Sequence, residues 1–424
     1  TSGTPHGQRK RMKLSWMGRI AMATLASLAL GLGMSACGGG TIGYIWVLGD
    51  QFKQITGFKV DDFTGNLTQV IGSPFSSNGV DPVSIVIKPG GRYVYVINQG
   101  TGGGIVNGAF QKETSGGISL YSVGGDGVLT FQQTYATQGA IPSWAQMDGG
   151  GTFLYVLDKQ SPDVNAVNTN GQHVGSITAF SIDSSTGRLT LVTNHQANDP
   201  SGNPLTYFNV GAAPIMFKTA GGCLLTLDND NSIFPYAFGG NGQITVTTPG
   251  QIPIGSSHLT SINGNGSNIF LTDAGTNQIL PFTIGSQCSL TSLAGGATSN
   301  LTGTSNPMYS MVDNSGKYLY VLNQSTTVTN PPTTPFSSIS AFTLSPSSGQ
   351  LAPIAGSPYK VGPNPVCIVE DSSNQYIYTS NRNDGTVSGF VLDPTTGELS
   401  SLTRGSTFTA SGLGSCLALS GAVD

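Results

Sequence analysis

Charged side chains are scarce in this chain. Lys, Arg, Asp and Glu together make up 9% of the 424 residues, and the formal net charge is −4. Only three glutamates occur, namely Glu113, Glu370 and Glu398. A slightly acidic balance, with no basic run in the body of the chain, argues against nucleic acid as a partner. The polar surface must therefore consist mainly of Ser, Thr, Asn and Gln side chains.

Several catalytic and cofactor-binding motifs are also missing. The sequence has no Gly-x-Ser-x-Gly elbow, no phosphate-binding loop, no Cys-x-x-Cys pair and no His/Cys cluster. The glycine run 102–104 has no predicted helix after it to hold a phosphate. We therefore expect neither a cofactor nor a metal. After residue 37 no apolar run is long enough to span a membrane.

What the sequence does contain is a repeated strand pattern. The unit YVYVIN at 93–98 combines aromatic and β-branched residues and ends on a polar residue, which predicts a β-strand. The unit occurs seven times, at 44–49, 93–98, 153–158, 223–228, 268–273, 318–323 and 376–381. Repeats at this spacing, with room for four strands each, are typical of a propeller. We predict an all-β fold, a seven-bladed β-propeller.

The two ends of the repeat array complement each other. Each repeat divides into strands a to d; strand a usually starts after a proline, and the unit described above is strand b. The first repeat begins directly at strand b, whereas a surplus segment, 414–419, follows the last repeat. We predict that this C-terminal strand completes the first blade and closes the ring, because an open ring would leave strand edges bare.

The long insertions are predicted to lie on one face of the disc. In a four-stranded meander, the b–c and d–a connections lie on the face opposite to the a–b and c–d turns. The long connections are 99–116, 159–175 and 324–336 between strands b and c, and 194–213 between strands d and a. Long loops gathered on one face of a rigid scaffold commonly carry recognition. We call this the long-loop face; drift of surface loops is the alternative explanation.

The N-terminal segment resembles a bacterial lipoprotein signal peptide. Four basic residues within 9–13 precede the apolar segment 20–32, which is too short for an ordinary spanning helix. The tetrapeptide Met34-Ser35-Ala36-Cys37 then resembles a lipoprotein cleavage site. The resemblance implies cleavage before Cys37 and lipidation of that cysteine. An ordinary secretory signal with a chance cysteine is the alternative.

This interpretation divides the chain into three parts. They are a signal peptide (1–36), an anchor linker (37–42) and a propeller (43–424). We expect a lipoprotein of the bacterial cell envelope, anchored in the outer membrane and in contact with the bilayer only through its lipid. We also expect a monomer.

Two histidines are candidates for a general base. His258 lies at the predicted start of a strand a, where Asp228 or Asp273 could supply a partner, and His195 lies in a long loop of the third blade. A general base needs a group that titrates near neutral pH and a partner within hydrogen-bond reach. The alternative is that each histidine is a loop residue whose hydrogen bonds go to backbone.

Six of the seven strands b end on Asp or Asn. These residues are Asn98, Asp158, Asp228, Asp273, Asn323 and Asn381. A ring of such groups can bind a polar ligand, although Asx side chains also stabilise turns by bonding nearby backbone. Aromatic residues near the starts of strands a and basic residues directly after strands b extend the candidate surface. The predicted binding set consists of Asn98, Trp144, Asp158, Lys159, Tyr309, Asn323, Asn381 and Arg382.

Two cysteines occupy equivalent strand-a positions, Cys367 in the last blade and Cys416 in the closing strand. In an exported protein a disulfide between them would fix the closure, provided that their Cα atoms lie within about 7 Å of each other. Buried free thiols are the alternative.

The repeated pattern Pro-x(6–8)-Gly-x-Tyr-x-Tyr-Val-x-Asn, followed by a Gly-x-Leu turn, resembles the seven-bladed lactonase family over about residues 43–420. That family includes propeller-type 6-phosphogluconolactonases and carboxymuconate cyclases. Its catalytic blades resemble Pro-Arg-His at the start of strand a and Asn-Glu after strand b. In this chain the strand-a positions hold Ser84, Trp144, Met216, Thr260, Tyr309, Cys367 and Cys416. The glutamate positions hold Gln99, Gln324 and Arg382.

Two functions remain open at this point. The first is a binding module that holds a small molecule, a surface glycan or a protein on the long-loop face, with active-site residues that diverge from the family. The second is a lactone hydrolase acting on a small neutral or sugar lactone, with His258 or His195 as its base. A phosphorylated sugar would require several basic side chains at the site, so a neutral lactone is the expected substrate.

Overall fold

The computed structural model describes residues 40–327 and 334–421. The predicted signal peptide and Cys37 lie outside these residues. Within them the only helical elements are two 3-10 turns, Gly240–Gly242 and Ser286–Cys288. The described part of the chain contains no helix with the length and hydropathy needed to cross a bilayer.

The strands of the first three blades follow the predicted order. Blade 1 contains β1 (Thr41–Gly49), β2 (Gln54–Asp61), β3 (Leu67–Gln69) and β4 (Phe75–Ser76). Blade 2 contains β5 (Pro82–Ile87), β6 (Tyr93–Asn98), the inserted hairpin β7 (Gly104–Val106) and β8 (Ala109–Gln111), β9 (Gly117–Val123) and β10 (Leu129–Tyr135). Blade 3 contains β11 (Ala140–Met147), β12 (Phe153–Gln160), β13 (Val174–Ile182), β14 (Leu189–Leu191), β15 (Asn194–Asn198), β16 (Pro204–Leu205) and β17 (Phe208–Ala212).

The last four blades are more uniform. Blade 4 contains β18 (Pro214–Ala220), β19 (Cys223–Asp228), β20 (Ser232–Phe238), β21 (Ile244–Val246) and β22 (Ile252–Pro253). Blade 5 contains β23 (Leu259–Asn265), β24 (Asn268–Asp273), β25 (Gln278–Ile284), β26 (Leu290–Ser292) and β27 (Thr298–Ser299). Blade 6 contains β28 (Thr304–Val312), β29 (Tyr318–Thr326), β30 (Phe336–Leu344), β31 (Leu351–Pro353) and β32 (Tyr359–Val361). Blade 7 contains β33 (Pro365–Glu370), β34 (Tyr376–Asn381), β35 (Thr386–Leu392), β36 (Leu399–Ser401) and β37 (Thr407–Thr409), and the chain ends with β38 (Gly414–Gly421).

Each blade is an antiparallel sheet in the order a–b–c–d, so the prediction of a seven-bladed propeller is confirmed. Strand b is the most deeply buried strand because both of its faces pack against neighbouring blades. All six residues of β19 are buried, for example. In six blades a short additional strand pairs with strand c, as β17 does with β13.

The C-terminal strand closes the ring as predicted. Strand β38 pairs antiparallel with β1, with Ser420 opposite Tyr44 and Ala418 opposite Trp46. A disulfide joins Cys367 of β33 to Cys416 of β38, and their Cα atoms lie 5.2 Å apart. The C-terminal strand is therefore held in the first blade by a hydrogen-bonded sheet, and a covalent bond joins it to the last blade.

Neighbouring blades are joined at one recurrent position, the first residue of the repeated unit in strand b. In each blade this residue contacts the c–d turn of the following blade. Hydrogen bonds to backbone carbonyls are made by Tyr44 to Gly125 (2.6 Å), Tyr93 to Ser185, Asn268 to Pro346 (2.7 Å), Tyr318 to Pro394 (3.3 Å) and Tyr376 to Asp62 (3.1 Å). Blade 4 uses a second disulfide, Cys223–Cys288, which the sequence analysis did not predict. In blade 3 the Phe153 ring packs on Gly242, where an added Cβ would lie 2.4 Å from it.

Two residues further along strand b, buried side chains add a second bond to the same turn. The Tyr95 hydroxyl donates to the Gly187 carbonyl at 2.6 Å, and the Tyr320 hydroxyl donates to the Gly397 carbonyl at 2.9 Å. Gly187 has a φ of +69°, and a Cβ there would lie 2.5 Å from the Tyr93 ring. This turn therefore requires glycine for its backbone conformation as well as for space.

The covalent link at this position should contribute more stability than a hydrogen bond does. Replacing both cysteines (Cys223→Ala with Cys288→Ala) is expected to cost roughly 2–5 kcal/mol, because the disulfide restricts the unfolded chain. Tyr93→Phe removes a single hydrogen bond at the same position in blade 2 and is expected to cost about 1 kcal/mol. Urea unfolding of the two variants measures the difference. Equal losses would contradict this account of the blade contacts.

Candidate active site

The starts of strands a and the ends of strands b meet at one end of the propeller. Pro82 pairs with Asn98, and Pro214 pairs with Asp228. Because the strands are antiparallel, the b–c and d–a connections lie on this same long-loop face. Residues that directly follow strands b therefore surround the mouth of the central channel.

A cavity of about 510 Å³ lies at this mouth between blades 2, 3 and 4. Its polar lining includes Gln99, Ser143, Lys159, Gln160, His173 and Asn229. The volume is within the range of small-molecule sites, and a few polar groups on a largely apolar wall are typical of them. We call it the mouth cavity.

Lys159 and His173 supply the charge and the titratable group of this cavity. Strand β12 continues two residues beyond the predicted end, so Lys159 and Gln160 are fixed on a strand. His173 directly precedes β13 and is half-buried, and its Nδ1 is buried without a hydrogen-bond partner among the described atoms. The Gln160 side-chain oxygen accepts a 2.6 Å hydrogen bond from the Ile105 backbone, which connects the blade 2 hairpin to this wall.

The wall of the mouth cavity contains a strained backbone segment. Ile141 has a φ of +62°, which is unfavourable for a β-branched residue. Its backbone N–H donates at 3.0 Å to Glu113, whose side chain is buried and forms a 3.1 Å ion pair with Lys112. Ala213, also on the cavity wall, has a φ of +51°. The residue before the strand-a proline also has a positive φ in other blades, at Asp81, Asn306 and Asn364, so this conformation is a feature of the repeat and is held by its surroundings.

A second group of charges lies close to Lys159. Arg382 is ion-paired with Asp50. Burial and the nearby Asp50 raise the pKa of Asp81, whereas Arg382 and Lys159 act to lower it. The guanidinium of Arg382 is thus committed to a carboxylate, and Lys159 is the cation that lines the mouth cavity.

The Asx side chains at the ends of strands b lie inside their own blades. Six of them, Asn98, Asp158, Asp228, Asp273, Asn323 and Asn381, are at most 1% exposed. Asp158 accepts hydrogen bonds from the Thr137 hydroxyl at 2.6 Å and the Thr178 hydroxyl at 2.9 Å, while burial raises its pKa to about 7. Most of the others are hydrogen-bonded within their blades in a similar way, and a ligand-binding role for them stays a prediction.

The two predicted catalytic histidines are exposed and lie outside the mouth cavity. Asp273 accepts a 3.0 Å hydrogen bond from the His258 backbone N–H rather than from its ring. The backbone N–H of His195 donates to the Gln243 side chain at 3.2 Å. Their catalytic role stays a prediction. Trp144 and Tyr309 are brought together deeper in the channel, with ring centroids 6.3 Å apart.

Sequence reasoning did not select His173 for the site. The available signal was its place at the end of the long b–c loop of blade 3, where the chain returns to the mouth beside Lys159. Among residues 40–327 and 334–421, no group of three or more His, Cys, Asp or Glu side chains is arranged to hold a metal ion.

Asp228 differs from the other Asx residues because both of its carboxylate oxygens are buried without a hydrogen-bond partner. Burial and the nearby Asp230 raise its pKa to about 8, against a smaller lowering by the Thr226 hydroxyl, which lies nearby without hydrogen-bond geometry. The unfolded chain releases this proton near its ordinary pKa of 3.8. The folded protein therefore loses stability as the pH rises between these two values.

Asp228→Asn is expected to stabilise the protein at pH 8 by roughly 1–3 kcal/mol, because it removes an unsatisfied carboxylate. The advantage should shrink towards pH 4, as measured by unfolding across this pH range. Asp273→Asn is the matched control. Although burial opposes it, hydrogen bonds from Thr276 and backbone amides lower the pKa of Asp273, so its replacement should destabilise at pH 7. A lower stability of Asp228→Asn at pH 8 would contradict the assignment.

Comparison with known proteins agrees with this architecture. The sequence profile described as "Lactonase, 7-bladed beta-propeller" matches residues 104–330 and 299–412. No curated protein matches the chain.

Similar solved structures include the periplasmic gluconolactonase of Pseudomonas aeruginosa (16% identity, TM-score 0.65, covering 90% of this chain and 99% of that one). A candidate 6-phosphogluconolactonase from Bacteroides fragilis is similar to the same degree (16% identity, TM-score 0.65, covering 89% and 98%). A protein from Lactobacillus plantarum has a TM-score of 0.66 at 15% identity, covering 90% and 100%. At these identities the structures show a shared fold, while the profile covers most of the repeats. The chain belongs to the lactonase family of seven-bladed β-propellers.

Proposed function

We propose that this protein hydrolyses a small lactone in the mouth cavity. The observation that carries the proposal is that a cation, Lys159, and an imidazole, His173, line one cavity of about 510 Å³ on the long-loop face. Family membership supports the reaction class. The similar Pseudomonas aeruginosa protein is described as a periplasmic gluconolactonase.

The proposed mechanism uses water as the nucleophile. His173 accepts a proton from water as the oxygen attacks the lactone carbonyl carbon. The Lys159 ammonium stabilises the oxyanion that forms on the carbonyl oxygen. When the ring C–O bond breaks, the imidazolium returns the proton to the leaving alkoxide. The product is the open-chain hydroxy acid, and both side chains return to their starting states.

The charges at the mouth favour a neutral or singly charged lactone. Binding a phosphate normally requires several basic groups, often a bidentate arginine. Here the Arg382 guanidinium is paired with Asp50, and the Lys112 ammonium is paired with Glu113. Lys159 alone is too little charge for a dianionic phosphate group, so a sugar lactone without phosphate is the better fit.

The second candidate function is a binding module without catalysis. It is favoured by the departures from the family pattern, with Gln99, Gln324 and Arg382 at the glutamate positions. The inserted hairpin 104–111 on the long-loop face would then contribute to a surface for a glycan or a protein. In that case the mouth cavity would bind lactones without hydrolysing them.

We also propose that the mature protein is a lipoprotein of the outer membrane, on the basis of the 34–37 tetrapeptide and the apolar segment before it. Cys37→Ser should abolish incorporation of labelled fatty acid and release the protein from the membrane fraction. A variant that remains acylated would contradict the proposal.

Substitutions in the mouth cavity test the enzymatic proposal. His173→Ala is expected to lower kcat for neutral γ- and δ-lactones by roughly 10²–10⁴-fold, because it removes the general base. Lys159→Met is expected to lower kcat/KM by roughly 10–1000-fold through loss of oxyanion stabilisation. Hydrolysis by purified residues 38–424, which lack the predicted signal peptide and Cys37, is followed by pH-stat. His195→Ala and His258→Ala are the matched controls and should leave the rate unchanged.

The controls also separate the alternatives. Loss of activity in His258→Ala or His195→Ala, with normal activity in His173→Ala, would move the site away from the mouth cavity. Lactone binding without turnover by the wild-type protein would favour the binding module.

A further inference from the structure

The central channel holds a second cavity below the mouth. It has a volume of about 410 Å³ and is lined by later residues of the same strands a. In β5, Val83 lines the mouth cavity and the next residue, Ser84, lines the second cavity. In β11, Ser143 lines the mouth cavity and the next residue, Trp144, lines the second cavity. The two cavities therefore lie at successive levels of the channel. We call the second one the lower channel.

Lys218 of β18 is the only charged residue among those that line the lower channel. No ion pair or side-chain hydrogen bond involves its ammonium group in the described part of the chain. The surrounding wall lowers the pKa of Lys218 because burial disfavours its charged form. Lys218 is half-buried, and a partly desolvated cation without a partner is costly, whereas an anion beside it would offset much of that cost.

The remaining lining of the lower channel supplies donors and apolar surface rather than negative charge. The Tyr309 hydroxyl has no hydrogen bond among the described atoms, and burial raises its pKa to about 12, so it is a donor at neutral pH. The Gln146 side-chain oxygen accepts from the Thr219 backbone at 3.0 Å, which leaves its NH₂ group as a further donor. The Trp144 ring and aliphatic residues such as Ile368 and Leu417 form the walls.

We propose that the lower channel is a second ligand site, which binds a small organic monoanion, a carboxylate with an apolar or aromatic body. Lys218 pairs with the carboxylate, Tyr309 and Gln146 donate to it, and the Trp144 ring packs against the body. One cation matches one negative charge, and the volume is appropriate for a ligand of this size. This site is independent of the proposed hydrolysis in the mouth cavity.

Access is from the face of the short turns. A third cavity of about 420 Å³ shares Lys218, Thr219 and Met147 with the lower channel. It is otherwise lined by Phe238 and mainly by residues of the short a–b turns, among them Gly222, Asn265 and Asp148. The Asp148 carboxylate accepts hydrogen bonds from the backbone N–H groups of its own turn. A ligand can therefore reach Lys218 from the face opposite to the mouth cavity.

Benzoate is a simple probe of this chemistry, and benzamide is its neutral counterpart of nearly the same shape. Isothermal titration calorimetry is expected to show one benzoate site per chain at millimolar or lower concentration, with benzamide at least 10-fold weaker. Lys218→Met should weaken benzoate binding by roughly 10–100-fold, as expected for loss of a charge-assisted hydrogen bond. Tyr309→Phe should weaken it several-fold.

Two further variants keep the test decisive. Lys218→Arg keeps the charge and should retain the preference for benzoate over benzamide. Lys218→Met itself should fold, because it removes an unpaired charge. Lys159→Met changes the mouth cavity alone and should leave benzoate binding unaltered. Equal binding of benzoate and benzamide, unchanged binding by Lys218→Met, or loss of binding in Lys159→Met would overturn the proposal, as would no binding of benzoate at all.

Discussion

The ring depends on one recurrent contact between blades. In each blade, the first residue of the repeated strand-b unit contacts the c–d turn of the next blade. A blade buries its faces only against its neighbours, so each interface must be fixed without help from a common core. The same position serves all seven interfaces with different chemistry: a tyrosine hydroxyl in four blades, an asparagine amide, a disulfide and a packed phenylalanine ring. These contacts fix each blade relative to the next. The strands a line the central channel.

The strands b were the most predictable part of the structure. The predicted bounds of β6, β19, β24 and β34 agree with the observed ones. These strands lie between two others in the sheet and are covered on both faces, so their sequences are rich in apolar residues and end on Asp or Asn. Closure by the C-terminal strand was predictable for a related reason, since a missing strand at one end matched a surplus strand at the other.

The site was less predictable because burial depends on contacts between distant segments. The Asx residues at the strand ends had the composition of a binding ring, yet the d–a connections and strands c enclose them; the Thr137 and Thr178 hydroxyls that bond Asp158 come from such segments. Lys159 could be placed at the mouth from the repeat register alone. For His173 the sequence offered a weaker signal, its place at the end of a long loop, because the path of such a loop decides where its side chains lie. The Cys223–Cys288 pair joins residues 65 apart in sequence that meet only across a blade interface.

The central channel of the propeller has two levels that differ in their chemistry. The mouth cavity combines a lysine with an imidazole and opens on the face of the long loops. The lower channel has a single unpaired lysine among apolar walls and opens on the face of the short turns. The two cavities share no lining residue, so a ligand in one need not compete with a ligand in the other.

The most direct measurement is a crystal structure of the protein soaked with δ-valerolactam, which resembles a neutral δ-lactone but resists hydrolysis. We predict the lactam in the mouth cavity, with its carbonyl oxygen about 3 Å from the Lys159 ammonium and the His173 ring beside the carbonyl carbon. Lactam bound at His258, at His195 or only in the lower channel, with the mouth cavity empty, would contradict hydrolysis in the mouth cavity.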